Sequence, residues 1–178
     1  MFLLLSCTVL SAQKKCPWPE CRHCTCGKAA ASAKTEKAEE PKGPQGKLLY
    51  CSYSATGAAG LGKDYCELVA DEGKKPVIHV RLNVGNRFGE KEPQGDFTVS
   101  EEVVETLRRK LAEAEVYKLN GYSVEECITG GTTYRIYMEY ASGEKINAHW
   151  YGHDVKDEAR AAYYLIARYF EPWRAKTQ

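Results

Sequence analysis

Four cysteines and a histidine fall within Cys16-Pro17-Trp18-Pro19-Glu20-Cys21-Arg22-His23-Cys24-Thr25-Cys26. Thiolates and an imidazole at this density are the donor set of a tetrahedral metal site. Cys21-x-x-Cys24 has the spacing of half a zinc knuckle, and Cys16, His23 and Cys26 can supply the remaining ligands. Zinc is one cation for such a set and Cu(I) the other, since soft thiolates favour both. All the donors come from one cluster, however, whereas strong zinc signatures use two separated pairs. The same residues can form two local disulfides in an oxidising compartment, or remain idle thiols. Cys21-Arg22-His23-Cys24 also has the spacing of a redox pair, but no strand leads into it and no helix follows to lower a thiol pKa. All three readings stay open.

Of the eight cysteines, Cys51 and Cys66 lie on two apolar runs separated by Gly57-Ala58-Ala59-Gly60-Leu61-Gly62-Lys63. A hairpin centred between Ala58 and Ala59 sets them opposite each other, at about the 4.5–5.5 Å Cα separation of facing strand residues that a disulfide accepts. Such a bridge would stabilise the fold by roughly 3 kcal/mol. The alternative is a pair of buried reduced thiols, acting as small apolar side chains. The glycine-rich run fits the phosphate-loop spacing GxxxxGK. It has Asp64 where a magnesium-binding Ser or Thr belongs, and it joins two strands instead of opening a helix, so a hairpin is the better reading.

His149-Trp150-Tyr151-Gly152-His153-Asp154 holds two imidazoles and a carboxylate, but on a strand running into a turn it lacks the helical spacing that would aim both histidines at one ion. There is no Gly-x-Ser-x-Gly or HExxH. The adjacent pairs Glu101/Glu102 and Glu125/Glu126 are read as solvated, and no hydrolase is indicated. All twelve tyrosines follow residue 47. An aromatic ring with a polar tip suits peptide or glycan binding, although tyrosine also serves as an ordinary packing residue of strands. Arg135, Tyr137 and Glu139 fall beside Asn147, His149 and Tyr151 on one face of a late hairpin, and Arg135, Tyr137, Glu139, His149 and Tyr151 form the candidate binding set.

The elements that must position these groups begin at Lys47. LLYCSYSA, DYCELVA and PVIHVRLNV alternate at period two and read as strands, with a turn at Asp71-Glu72-Gly73. On the third, Ile78, Val80, Leu82 and Val84 point one way. A polar loop, GNRFGEKEPQGDFT, leads to Ser100, the expected cap of a helix carrying Val103, Leu107, Leu111 and Ala114 on one stripe and ending at Asn120-Gly121. A second hairpin turns at Ala141-Ser142-Gly143 and pairs Met138 with Ile146, Ile136 with Ala148 and Tyr134 with Trp150. Asp154 caps a final helix that turns Val155, Ala159, Ala162, Ile166, Tyr169 and Phe170 to the sheet and stops at Pro172. The order βββα then ββα predicts an α+β domain, with an antiparallel sheet of about five strands and two helices packed on one face. Residues 47–178 suffice for one domain that buries about two thirds of its surface.

Ahead of this domain lies a disordered Cys-rich tail, residues 13–46, whose stretch 27–46 has two prolines, three glycines and no large apolar side chain. As a flexible coil that stretch spans roughly 25 Å. Residues 1–12 are mostly apolar and are followed by Lys14 and Lys15, a signal-like segment. It is short and has no positive leading region, features that a translation start upstream of Met1 would supply; the alternative is an artefactual N-terminus on a cytoplasmic protein. Two processing sites are alternatives: Leu4-Leu5-Ser6-Cys7 resembles a bacterial lipobox, which implies a lipid anchor at Cys7, or a cut falls after Ala12, where Ser11-Ala12-Gln13 resembles signals of bacterial envelope proteins. The implied location is the periplasm or cell surface. Cleavage after Ala12 leaves seven cysteines, so at least one is free, metal-bound or paired with another chain, and Cys127 is the candidate. With 25 Lys and Arg against 24 Asp and Glu, the net charge of +1 provides no field for nucleic acid. No run reaches the roughly 18 apolar residues of a spanning helix. The expected protein is thus an exported, non-enzymatic binding or structural module with an envelope protein, peptide or glycan as partner. The alternative is a metal-handling or thiol-redox protein acting through Cys16–Cys26.

Overall fold

The computed structural model describes residues 43–58, 61–124, 131–152 and 155–178. The signal-like segment, the Cys16–Cys26 cluster, Cys7, Cys127, His153 and Asp154 lie outside them. Strand formers in alternation produce β1 (Leu48–Gly57), β2 (Lys63–Val69), β3 (Val77–Val84), β4 (Gln94–Thr98), β5 (Ser123–Val124), β6 (Thr132–Tyr140) and β7 (Lys145–Tyr151). With α1 (Glu101–Glu113) and α2 (Asp157–Thr177) they make an α+β domain.

The seven strands lie in one sheet in the order β4-β3-β2-β1-β6-β7-β5. Every neighbouring pair is antiparallel except β5 and β7, which run parallel. The sheet is therefore larger than five strands and mixed. Both additional strands occupy edges and have weak signatures. β4, QGDFT, sits inside the expected polar loop, and its Gly95 fits beneath α2: a Cβ there would lie 2.8 Å from Thr177 Oγ1 and 2.7 Å from the Phe97 ring. The two residues of β5 are held to β7 by flanking bonds, Gly121 N–H to Asn147 O at 2.9 Å and His149 N–H to Tyr122 O at 3.0 Å.

One face of the sheet forms the core. Cys51 and Tyr53, Cys66 and Leu68, Ile78 and Val80, Ile136 and Met138, and Ala148 and Trp150 are buried there. Leu48 joins them because a bulge between Leu48 and Tyr50 absorbs the consecutive leucines at the start of β1 and restores alternation beyond it. Val84, expected on this face, lies at the exposed end of β3, where Asn83 takes a left-handed conformation. The second hairpin has the expected register, with Tyr134 opposite Trp150, Ile136 opposite Ala148 and Met138 opposite Ile146. Its three-residue loop closes with Tyr140 N–H on Glu144 O at 3.0 Å, and Gly143 takes φ +86°, a conformation a side chain would strain.

Both helices cover the inner face. α1 follows Ser100 as expected, but it buries Val104 with Leu107 and Leu111, while Ala114 is exposed. It ends at Glu113, well before Asn120-Gly121. Glu115 there adopts a left-handed conformation at φ +50°, and a short 3₁₀ turn, Val116–Leu119, follows. No glycine marks that reversal, which explains why the pattern ran on.

α2 buries Ala159, Ala162, Ile166 and Phe170, but it passes through Pro172 and continues to Thr177. Interior proline costs a helix about 3 kcal/mol through the lost N–H and ring crowding. Tertiary contacts offset this. Trp173 packs on Tyr169 and Phe170, with ring centroids 5.9 and 6.3 Å away, and Arg174 donates to Tyr53 Oη at 3.2 Å and reaches Asp64 Oδ2 at 3.4 Å. Phe170 sits at the centre of this contact, against Tyr53 as well. Phe170→Ala is therefore expected to cost about 3–5 kcal/mol, read as a lower urea midpoint with an unchanged slope.

Candidate functional site

The face turned away from the helices is polar. Alternation sends Tyr50, Ser52 and Ser54 of β1 outward, with Tyr65 and Glu67 of β2, and cross-strand pairing sets them in rows. Ser52 lies between Glu67 and Tyr137, and Ser54 between Tyr65 and Arg135. Arg135 faces His149, Tyr137 faces Asn147, Glu139 faces Lys145 and Thr133 faces Tyr151. The five candidate residues Arg135, Tyr137, Glu139, His149 and Tyr151 thus share one face. Asn147 lies beside them as expected, and Tyr50, Ser52, Ser54, Lys63 and Tyr65, which complete the face, were missed. Their alternation was legible, but that β1 lies between β2 and β6 was not, so two hairpins read separately could not be joined into one surface.

The groups on this face are tied by side-chain hydrogen bonds. The Tyr50 hydroxyl donates to the Glu67 carboxylate and the Tyr137 hydroxyl to Glu139. The Tyr50 and Tyr137 rings meet edge to face, 5.8 Å between centroids. Lys145 Nζ lies 3.0 Å from Glu139 Oε1, and Ser123 Oγ lies 3.0 Å from His149 Nε2. Towards β4, Asp96 receives His79 and Arg81, each at 2.7 Å, and these hydrogen bonds hold its carboxyl below the usual range. Partial burial, with the Glu67 contact second, pushes the Tyr50 phenol up. The hydrogen bond to Glu139 does the same for Tyr137. Both phenols therefore stay protonated at neutral pH. They are hydrogen-bond donors, not nucleophiles.

A groove of about 460 Å³ opens across β2, β1 and β6. That volume falls in the range of small-ligand sites, about 300–1,000 Å³. Among the described residues no group of three or more His, Cys, Asp or Glu side chains is placed to hold a metal ion. The Cys16, Cys21, His23, Cys24 and Cys26 set lies outside them. Not all the tyrosines serve this face: Tyr53 is buried, and Tyr134 and Tyr163 pack on each other and on Trp150.

The expected opposition of Cys51 and Cys66 does not occur. The first hairpin pairs Cys51 with Leu68 and Tyr53 with Cys66, two residues away from the symmetric register, because its turn is closed by Gly57 N–H on Gly62 O at 3.0 Å. Both thiols are free and lie in the core. Cys66 Sγ contacts Tyr53 Oη at 3.5 Å. Burial pushes the Cys51 thiol up to about 12 from its usual value of 9.0, and burial also raises Cys66. They behave as packing groups without thiolate chemistry.

No helix among the described residues is long and apolar enough to cross a membrane.

Two outcomes follow for the thiols. Peptide mapping after iodoacetamide at pH 8 should find Cys51 and Cys66 modified only in denatured protein. A thiol whose proton is held more tightly in the folded state stabilises below the unfolded pKa and loses that contribution as pH rises towards the folded one. The urea midpoint should accordingly fall between pH 9 and 12, and Cys51→Ala should flatten the fall. No protein-family model matches the sequence, and no curated protein matches it at a significant level.

Proposed function

We propose that the chain is an exported bacterial envelope protein that acts without catalysis, as a binding module whose open sheet face receives a peptide or glycan of the envelope. The observation that carries the reading is the concentration of neutral donors and acceptors on the face turned away from the helices: Tyr50, Ser52, Ser54, Tyr65, Tyr137 and Asn147, around a groove of about 460 Å³. Such a face recognises by hydrogen bonding and ring contact. Protonated phenols and unactivated hydroxyls favour binding over group transfer. Export rests on the apolar segment 1–12 and on Leu4-Leu5-Ser6-Cys7, with Cys7 as a lipid anchor.

The second reading, metal handling or thiol exchange, rests on Cys16, Cys21, His23, Cys24 and Cys26 within eleven residues. Zinc or Cu(I) would be the ion. Metal analysis of the full chain purified anaerobically separates the two. A stoichiometric ion lost in the Cys21→Ser/Cys24→Ser variant supports the second.

For the first, the full chain should co-sediment with insoluble envelope glycan or bind an envelope protein fraction. Tyr65→Ala/Tyr137→Ala should weaken that binding at least tenfold with an unchanged melting temperature, and equal binding by the variant would refute the reading. A fusion of residues 1–46 to a reporter active only outside the cytoplasm should be active in a bacterial host, and silent when Leu3, Leu4 and Leu5 are changed to Asp.

A further inference from the structure

Within the open face, we infer that the end of the groove formed by Lys63 and Arg135 is an anchor for the carboxylate of an acidic saccharide. This rests on the binding-module reading and narrows it to a ligand class. Lys63 and Arg135 are both exposed: Arg135 ends the row Tyr65-Ser54-Arg135 across β2, β1 and β6, and Lys63 stands on the next row, opposite Thr56. The other cations of the strand faces have carboxylate partners: Arg81 has Asp96 and Lys145 has Glu139. Lys63 and Arg135 have none among the described residues. Lys63 Nζ instead stands 5.0 Å from the centre of the Tyr65 ring. The carboxylate at the groove's other end, Glu67, is occupied by the Tyr50 hydroxyl. Glu67 keeps its charge at the far end, but the end formed by Lys63 and Arg135 offers two cations and no carboxylate, so local charge complementarity selects a negative group there. Arg135 suits a carboxylate in a two-point contact and Lys63 adds a point charge.

The rest of the groove argues for a saccharide over an acidic peptide. A peptide strand gains affinity by adding to a sheet edge, where backbone groups are unpaired. The edges here are β4 and β5, while the groove floor is β2, β1 and β6, each bonded on both sides. An occupant meets side chains only: the hydroxyls of Ser52 and Ser54, the Tyr65 phenol and the Asn147 amide, with Arg135 and Lys63 at one end. Neutral hydroxyls and an amide pair with the ring hydroxyls of a sugar, and the two cations take its acid group.

Tri-galacturonate titrated into the full chain by calorimetry is the test, with maltotriose, inorganic phosphate and the peptide Glu-Glu-Glu as comparison probes. The expected result is binding of tri-galacturonate at least tenfold tighter than any of the three. Arg135→Gln and Lys63→Gln should each weaken it about tenfold without shifting the melting temperature, and 0.5 M salt should weaken it too. No binding, equal binding of maltotriose or phosphate, tighter binding of the peptide, or unaltered binding by both Gln variants would overturn the inference. If Tyr65→Ala/Tyr137→Ala loses envelope binding while the Gln variants keep it, the acidic-sugar anchor alone falls. If the tyrosine variant keeps it, the open-face reading falls first.

Discussion

The structure depends on a sheet that, among the described residues, has helices over only one of its faces. Two helices are enough to bury one side of the seven strands, and burying the apolar side excludes the most water. Period-two alternation then obliges each central strand to serve two environments. β1 does so within three residues, with Cys51 and Tyr53 in the core and Ser52 between them on the open side. Among the described residues no helix packs over the open side, so its side chains meet water and each other.

The inner face tolerates some polarity because each polar atom is matched. No buried side-chain nitrogen or oxygen among the described residues lacks a partner. Tyr53 brings a hydroxyl into the core at 1% exposure, and Arg174 and Cys66 reach it there. The same arginine reaches Asp64, so the turn of α2 beyond Pro172 is fastened to β2. A proline that would end an isolated helix is overruled by contacts from strands more than a hundred residues earlier in the chain. Those contacts also place Thr177 over Gly95, coupling the last turn of α2 to the edge strand β4.

On the open face the charges are sorted along the strands. Glu67 and Glu139 lie towards one end with tyrosine hydroxyls on their oxygens, and Lys63 and Arg135 lie towards the other. A chain of net charge +1 has little field at long range, so what discrimination this face has must act at contact distance, through hydrogen bonds and local charge. On the proposed binding reading, such a face suits a polar, neutral-to-acidic ligand and needs no activated group.

The local rules written into the residues determined a good deal. Met138, Ile136 and Tyr134 found their partners because a three-residue loop with Gly143 in the left-handed position allows one register, and Ala159, Ala162, Ile166 and Phe170 faced the sheet because helical spacing puts them on one side. Arg135, Tyr137, Glu139, His149 and Tyr151 came to one face for the same reason. What required the tertiary structure were features with no local signal. β4 and β5 are too short and polar to be strands alone and exist because an edge was free to pair. The first hairpin's register was settled by a glycine turn whose geometry composition does not specify, and it separated Cys51 from Cys66. Above all, strand order joined Lys63 and Tyr65 to Arg135 and Tyr137. Alternation tells each side chain which way to point, but only the pairing of distant strands decides what stands beside it.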